Sequence, residues 1–326
     1  MAEVALIEAV NMALSRAMVD DDSVILLGED VGTNGGVFRA TAGLQEKFGK
    51  ERVLDTPLAE TLIAGMSVGM SVQGLKPVFE MQFMGFIYSA VDQMINHASR
   101  MRNRTRGRLT CPMVLRAPYG GGIHAPEHHS ESTEALFAHM PGLRVVIPSS
   151  PARAYGLLLA AINDPDPVIF LEPKRVYRLL KQDVEDNGEA LPLDTCFTLR
   201  EGTDITLVSW GASIHETLQA ADDLQNDGIS AEVIDLATIK PLDMKTILQS
   251  VEKTGRCVIV HEAARTCGVG AEIAAQLAEK GLMFLLAPVK RVTGFDTVMP
   301  LYRNEPHYMI DKTRIIDTVK KTMEFQ

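Results

Sequence analysis

The sequence lacks several features that mark whole classes of protein. None of its apolar runs reaches the length of about 18 residues that crosses a bilayer, and its N-terminus has no basic segment followed by an apolar core. Its four cysteines include no CxxC pair, which is typical of free thiols in a reducing compartment. The formal net charge of −10 argues against a general binder of nucleic acids or anionic membranes. We therefore expect a soluble, cytoplasmic protein.

A length of 326 residues with 46% hydrophobic content predicts two domains with separate cores. Continuous apolar strands indicate a parallel sheet that is covered on both faces, and they occupy residues 23–28, 112–118, 143–148 and 167–173. A polar segment, 181–194, reads as a linker. A second βαβ series follows, with strands at 204–211, 230–236, 256–262 and 288–294 and helices from about Ser213, from about Asp243 and over 270–281. The fold class is therefore α/β, with two doubly wound domains at 1–187 and 188–326.

Residues 54–74, LDTPLAETLIAGMSVGMSVQG, predict a helix that is buried on every side. Asp55 and Thr56 are capping residue types and Pro57 suits a first turn, so the helix should begin there. From Leu62 to Val72 the only polar side chains are serines. No solvated face repeats at the helical period, so other elements should cover the helix all round.

Glu60 lies at the start of this helix and raises a question about its partner. A glutamate in a first turn is favoured by the helix dipole, and such residues commonly do nothing more. At the edge of a fully covered helix, however, a carboxylate loses hydration and needs a partner. No Lys or Arg lies within one helical turn of Glu60 in the sequence, so the partner is expected to come from outside the chain.

Three other patterns allow more than one interpretation. The glycines of GVGAEI (268–273) follow a strand, but Ile273 replaces the third glycine of the dinucleotide fingerprint, which favours helix packing. Five arginines between residues 100 and 108 suit a solvated or subunit-facing surface. The HAPEHH segment brings together His124, His128 and His129. These three residues could be ordinary loop histidines, acid–base catalysts or zinc ligands.

Several segments together resemble one family over residues 4 to about 320, in order: GEDVGTNGGVFRATAGLQEKFGKERVLDTPLAE, FEMQFMGF, RAPYGGGIHAPEHHSES, PGLRVVIPSSP, DPDPVIFLEP and VIDLATIKPLD. The chain resembles the β subunit of the thiamine-diphosphate-dependent decarboxylating component of 2-oxo acid dehydrogenase complexes, most closely its bacterial pyruvate-oxidising members. The resemblance implies a pyrimidine-type thiamine-diphosphate-binding domain followed by a transketolase C-terminal-like domain. It also implies oxidative decarboxylation of pyruvate with reductive acetylation of a lipoyl group. Branched-chain 2-oxo acid and acetoin enzymes are the alternatives within the family.

The resemblance also implies roles for individual residues. In this family the glutamate matching Glu60 hydrogen-bonds the ring nitrogen of the cofactor's aminopyrimidine, so the resemblance implies that the cofactor is the partner of Glu60. Leu58, Gln82 and Phe86 match positions around the same ring. His129 matches the family's active-site histidine, whereas His128 has no such counterpart.

The sequence has no Gly-Asp-Gly followed by asparagine, the motif that holds Mg²⁺ and diphosphate in thiamine enzymes. The resemblance therefore implies that a separate α subunit supplies Mg²⁺ and that the active species is an α₂β₂ heterotetramer. It also implies contacts with the lipoyl domain and peripheral subunit-binding domain of a dihydrolipoyl acyltransferase. Family positions for potassium match Met113, Ala161, Ile162, Asp164 and Asp166. A noncatalytic scaffold and a nicotinamide dehydrogenase are the rival interpretations.

Overall fold

The computed structural model describes residues 2–325, which contain fourteen strands and eleven α-helices. The strands are β1 (Ala2–Ala5), β2 (Val24–Gly28), β3 (Val53–Asp55), β4 (Lys76–Glu80), β5 (Val114–Tyr119), β6 (Arg144–Val146), β7 (Val168–Pro173), β8 (Lys181–Val184), β9 (Phe197–Arg200), β10 (Ile205–Ser209), β11 (Ala231–Asp235), β12 (Thr238–Lys240), β13 (Cys257–His261) and β14 (Lys290–Thr293). The helices are α1 (Leu6–Asp20), α2 (Leu44–Phe48), α3 (Glu60–Val72), α4 (Met101–Arg104), α5 (Glu134–Ala138), α6 (Pro151–Asn163), α7 (Ser213–Asn226), α8 (Met244–Thr254), α9 (Val269–Lys280), α10 (Glu305–Tyr308) and α11 (Lys312–Met323). Short 3₁₀ segments include Met84–Ser89, Glu127–His129 and Lys174–Val176.

Two large sheets organise the chain. The first has seven strands in the order β12-β6-β7-β5-β4-β2-β3, and the second has five in the order β14-β13-β10-β11-β9. All neighbours in these sheets are parallel except the pairs β12–β6 and β11–β9. The predicted α/β class is confirmed. Helices and apolar clusters cover the buried strands, as the continuous apolar runs indicate.

The two halves of the chain share a core. Leu115 in β5, Trp210 after β10 and Ile259 in β13 belong to one buried apolar cluster. Strand β12, from the second half, pairs with β6 at the edge of the first sheet. Among residues 2–325, no helix has the length and apolar character to cross a membrane.

The sequence does not predict six of the strands, which are β1, β3, β4, β8, β9 and β12. Each has only three to five residues, and a charged residue in each interrupts the apolar pattern. Strand β8 occupies the start of the predicted linker, where it pairs antiparallel with β1. The GVGAEI glycines serve helix packing, as expected: a Cβ on Gly270 would lie 2.7 Å from Nε2 of His261.

The predictions for helix α3 are wrong in two respects. The helix begins at Glu60 with Ala59 as an N-cap that makes no side-chain hydrogen bond, because Asp55 instead accepts main-chain hydrogen bonds from Gly32 and Thr33. Within this chain the helix is also not covered all round. Its buried residues lie on one side only, and they are Ile63, Ala64, Ser67 and Ser71.

A buried ion-pair network crosses the first sheet at β5. The guanidinium of Arg116 donates to both carboxylate oxygens of Glu172, at 2.7 and 3.0 Å, and to Glu80 at 3.1 Å. The hydroxyl of Tyr177 donates to Glu172 at 2.6 Å. Burial acts to lower the pKa of Arg116, but the two carboxylates outweigh it and the net shift is upward. The arginine therefore stays charged inside the core.

We predict that Arg116→Met destabilises the chain by about 3–5 kcal/mol, because removing the cation leaves two buried carboxylates uncompensated. Urea unfolding followed by circular dichroism measures the effect. The control is Arg16→Met, which removes an exposed ion pair with Asp20 within α1 and should leave the midpoint close to wild type. Equal losses in the two variants would contradict the assigned role of Arg116.

Candidate active site

The candidate residues gather at one edge of the first sheet. Strands β2, β3, β4 and β5 are parallel neighbours or near neighbours, so their carboxyl ends lie along the same edge. Glu29 follows β2, Glu60 opens the helix after β3, Gln82 and Phe86 follow β4, and the loop after β5 leads to His129. Carboxyl ends of parallel strands are the usual position of ligand sites in open α/β sheets.

Two carboxylates lie close enough at this edge to affect each other. Glu29 is only 7% exposed, and its Oε1 has no hydrogen-bond partner within residues 2–325. Burial raises the pKa of Glu29, the negative charges of Glu60 and Asp30 add to the rise, and the main-chain amide of Ala59 opposes it. Glu29 is thereby biased towards its neutral, proton-bearing form beside Glu60. Sequence reasoning missed Glu29, although its place directly after a buried strand was a usable signal.

Aromatic side chains hold the ring of His129. The Phe83 and Phe86 rings approach it edge-on, with centroids 4.2 and 5.3 Å away. Phe38 contacts Phe83 in turn, at 5.4 Å. The Nδ1 atom of His129 is buried without a hydrogen-bond partner in the described chain. This histidine therefore has a fixed ring and a free polar atom, as a group that acts on a ligand would need.

The site is incomplete on one side. Oγ1 of Thr56, next to the start of α3, is a third buried polar atom for which the described residues provide no partner. Gln82 and Phe86 are half-buried, whereas Leu58 is 81% exposed. Unpaired polar atoms beside an aromatic wall fit a heteroaromatic ring with both hydrogen-bonding and apolar edges.

The residues that match potassium positions lie at the end of α6 and the start of β5. The carbonyl of Met113 accepts a hydrogen bond from the amide of Val168 at 3.0 Å, and that of Ala161 from Asp164 at 3.3 Å. Ile162 is buried near the end of α6. The carboxylate of Asp164 pairs with Arg144, and that of Asp166 pairs with Arg102 at 2.8 Å. Both side chains already have cationic partners, so main-chain carbonyls are the oxygens best suited to another cation.

The three histidines of HAPEHH are not arranged as a zinc site. His124 pairs through Nδ1 with Glu305, His128 is exposed, and His129 packs between phenylalanines. Within residues 2–325, no group of three or more His, Cys, Asp or Glu side chains is placed to hold a metal ion.

Comparison with protein families assigns both parts of the chain to transketolase-type domains. The transketolase pyrimidine-binding domain model matches residues 2–179, and the transketolase C-terminal domain model matches residues 195–315. A solved structure described as a split gene transketolase, inactive beta4 tetramer, superposes with a TM-score of 0.81 over 99% of both chains. Its sequence identity is 22%, so this likeness establishes the fold alone.

Two curated relatives narrow the class further. The pyruvate dehydrogenase E1 component subunit beta of Acholeplasma laidlawii is 50% identical over 321 residues, which cover 98% of each chain. The protein of the same name from Bacillus subtilis is 46% identical over 325 residues, which cover 100% of each chain. This chain belongs to the family of pyruvate dehydrogenase E1 component β subunits, as the resemblance noted in the sequence indicates.

The raised pKa of Glu29 predicts how pH affects stability. A carboxyl group whose pKa is raised by folding favours the folded state at low pH, and that contribution is lost as pH rises through the folded pKa. The variant Glu29→Gln keeps a neutral side chain at every pH. We therefore expect it to match wild type at low pH, to exceed wild-type stability as pH rises towards the folded pKa of Glu29, and to keep a constant advantage above that pKa, in urea melts. A difference that shrinks as pH rises would contradict the assignment.

Proposed function

We propose that this chain is the β half of an α₂β₂ pyruvate dehydrogenase component that holds the aminopyrimidine of thiamine diphosphate. The observation that carries the proposal is the pair of interacting acids Glu29 and Glu60 at the same edge of the sheet as the loop that carries His129. When bound, thiamine diphosphate supplies the carbon nucleophile that attacks a 2-oxo acid and accepts the electrons released with carbon dioxide. A cytoplasmic location belongs to the same proposal.

Glu60 is proposed to exchange a proton with the ring nitrogen of the aminopyrimidine. Its position at the first turn of α3 lets it reach a ring that lies over the carboxyl ends of β2 and β3. Burial and the negative charge of Glu60 both raise the pKa of Glu29. We propose that Glu29 therefore carries less negative charge beside Glu60 and leaves Glu60 as the acceptor for the proton of the ring nitrogen. Phe86 provides an apolar wall, and a low local dielectric strengthens a hydrogen bond to Glu60. Leu58 and Gln82 complete the proposed contacts to the ring.

The exposed side of α3 supports an obligate partner. That face has no charged side chain after Glu60, and Leu62 is 45% exposed. Gly69 has open space where a Cβ would be, so another backbone could approach closely. We infer that the α subunit covers this face and brings Mg²⁺ and the diphosphate ligands, and interfaces of this obligate kind commonly bury more than about 2,000 Å².

Pyruvate is the proposed substrate, and the dihydrolipoyl acyltransferase is the proposed acceptor. Its lipoyl group would be acetylated at the site of His129, and its peripheral subunit-binding domain would dock on the second domain. That docking domain is basic in this family, so the net charge of −10 favours the encounter, which should weaken with salt. A branched-chain 2-oxo acid differs from pyruvate by methyl groups that binding discriminates only modestly.

Reconstitution tests the proposal directly. The chain is purified alone and with its α subunit, and decarboxylation of pyruvate and of 2-oxoisovalerate and oxidative cleavage of acetoin are compared in the presence of thiamine diphosphate, Mg²⁺ and an artificial electron acceptor. We expect activity only with both chains, and highest kcat/KM with pyruvate. Activity of the single chain with NAD would support a nicotinamide dehydrogenase. Absence of activity in every combination would support a scaffold.

Glu60→Gln should lower the turnover of the heterotetramer by a factor of the order of 10²–10⁴, the scale of a positioned acid–base group. The amide has nearly the same volume but does not exchange a proton with the aminopyrimidine. Glu46→Gln, in helix α2, is the matched control because Glu46 is an exposed glutamate in a first helical turn. Wild-type turnover in Glu60→Gln would rule out the proposed role.

His129→Ala is expected to lower the rate of acetyl transfer to the lipoyl group while leaving cofactor affinity unchanged. The physical reason is that His129 lies between two phenylalanines with a free Nδ1, whereas neighbouring His128 is exposed. Single-turnover kinetics with a free lipoyl domain measure the step, and His128→Ala is the control. If His128→Ala proved the more damaging change, the assignment would be off by one residue.

We also propose that potassium binds at main-chain oxygens of Met113, Ala161, Ile162, Asp164 and Asp166, because the carboxylates of the two aspartates pair with Arg144 and Arg102. The carbonyls at the end of α6 carry the negative end of the helix dipole, and hard oxygen ligands suit such an ion. The melting temperature should be higher in potassium chloride than in tetramethylammonium chloride at equal ionic strength. Identical melting in the two salts would count against the site.

A further inference from the structure

We propose that Glu262 and Glu305, both from the second half of the chain, are positioning residues that hold the loop carrying His129. The loop, residues 120–131, begins after β5 and returns before α5. The amide of Gly120 donates to the carbonyl of Glu131 at 2.8 Å and closes its base. The inference rests on the proposed function for the role of His129, but the placement of the loop can be tested independently.

Glu262 contacts both ends of the loop. It is 6% exposed, and its Oε1 accepts hydrogen bonds from the amide of Gly121 and, at 3.2 Å, from the hydroxyl of Ser132. A Cβ on Gly120, whose φ is +82°, would lie 2.9 Å from the same oxygen. One carboxylate oxygen therefore links the outgoing and returning arms of the loop, and a glycine permits the close approach.

Glu305 holds the next part of the loop. It is 1% exposed and is the first residue of α10. Its Oε1 accepts from the amide of Gly122 at 2.6 Å, and its Oε2 accepts from the amide of His124 at 2.9 Å and pairs with Nδ1 of the same histidine. Hydrogen bonds to an ionised acceptor are stronger than those between neutral groups. Glu305 of the second domain therefore fixes the path of the main chain that leads into residues 125–129.

A buried lysine accompanies the two carboxylates. Lys174, directly after β7, is 4% exposed, and its Nζ has no hydrogen-bond partner within residues 2–325. Burial lowers the pKa of Lys174 to about 8, and the charges of Glu262 and Glu305 act in the opposite direction. The three groups form one buried charge cluster whose two acids are turned towards the main chain of the loop.

The position of Glu262 at the end of β13 in the second sheet explains why it faces the loop. Connections from β10 and β13 leave in opposite directions, so their carboxyl ends form the kind of crevice that binds ligands in doubly wound domains. In this chain Trp210 follows β10 and Glu262 follows β13, and Trp210 donates to Glu134 of the first domain at 3.3 Å. Residues of the first domain occupy this crevice: Gly121, in the loop that leads to His129, contacts Glu262, and Glu134 contacts Trp210.

Hydrogen–deuterium exchange of peptides spanning 120–131 tests the proposal, in the full chain assembled with its α subunit. Glu305→Ala should accelerate exchange in this loop by about tenfold or more, the size expected for losing hydrogen bonds to a charged group. Glu262→Gln should accelerate it by a smaller factor, because its amide oxygen still accepts but carries no full negative charge. Glu305→Gln should recover part of the protection because its amide oxygen still accepts one hydrogen bond. In kinetics, kcat should fall while thiamine diphosphate affinity holds, because Glu60 and Phe86 lie outside the loop.

The matched control is Glu232→Gln. Glu232 is 3% exposed, accepts from the amide of Gly202 and pairs with Lys253, far from the loop in the same sheet. Loop exchange at the wild-type rate in both test variants, or equal acceleration in the control, would overturn the proposal. Should Glu305→Ala fail to fold, Glu262→Gln and Ser132→Ala decide the question. Because exchange is read without turnover, an inactive wild-type complex would refute the proposed function while the loop result stood on its own.

Discussion

The guanidinium of Arg116 lies between Glu80 and Glu172 in the middle of the seven-stranded sheet. The candidate active-site residues follow the carboxyl ends of β2, β3, β4 and β5 in the same sheet. A shift of one residue in β5 would turn Arg116 to the other face of the sheet and leave two carboxylates buried without a cation. The same network reaches the ligand edge through side-chain contacts. Tyr177 donates to Glu172, Phe38 lies 5.2 Å from the Tyr177 ring, and Phe38 in turn contacts Phe83 beside His129.

The charge of the sheet edge explains why a cofactor would be divided between two chains. Glu29, Asp30 and Glu60 interact there, and each negative charge makes it harder for Glu29 to ionise. Such an edge suits a nitrogen heterocycle that takes up or releases a proton. It is a poor place for a diphosphate, whose own negative charges would be repelled. In the proposed complex, the diphosphate and its Mg²⁺ therefore belong on the partner's side of the interface.

The sequence predicts the parts of this site that depend on local pattern. The α/β class follows from the continuous apolar strands, and Glu60 stands out because a carboxylate precedes an uncharged helix. Glu29, Phe83 and the Arg116 network are missed because they depend on which strands become neighbours. The burial of α3 is mispredicted for a related reason: an apolar helix pattern shows that a cover exists but not whether the same chain supplies it. The roles assigned to Glu60 and His129 come from resemblance and stay predictions.

The pairing of β12 with β6 affects how the chain is made. The strand at residues 238–240 completes the edge of a sheet whose other six strands all come from residues 24–173. During synthesis the first sheet emerges early, yet β6 remains an open edge until more than sixty further residues have left the ribosome. An open edge strand is a template for intermolecular pairing. Nascent chains on one polysome can therefore pair with each other through β6. A truncated chain that ends before residue 238 would lack β12 and would keep β6 as an open edge.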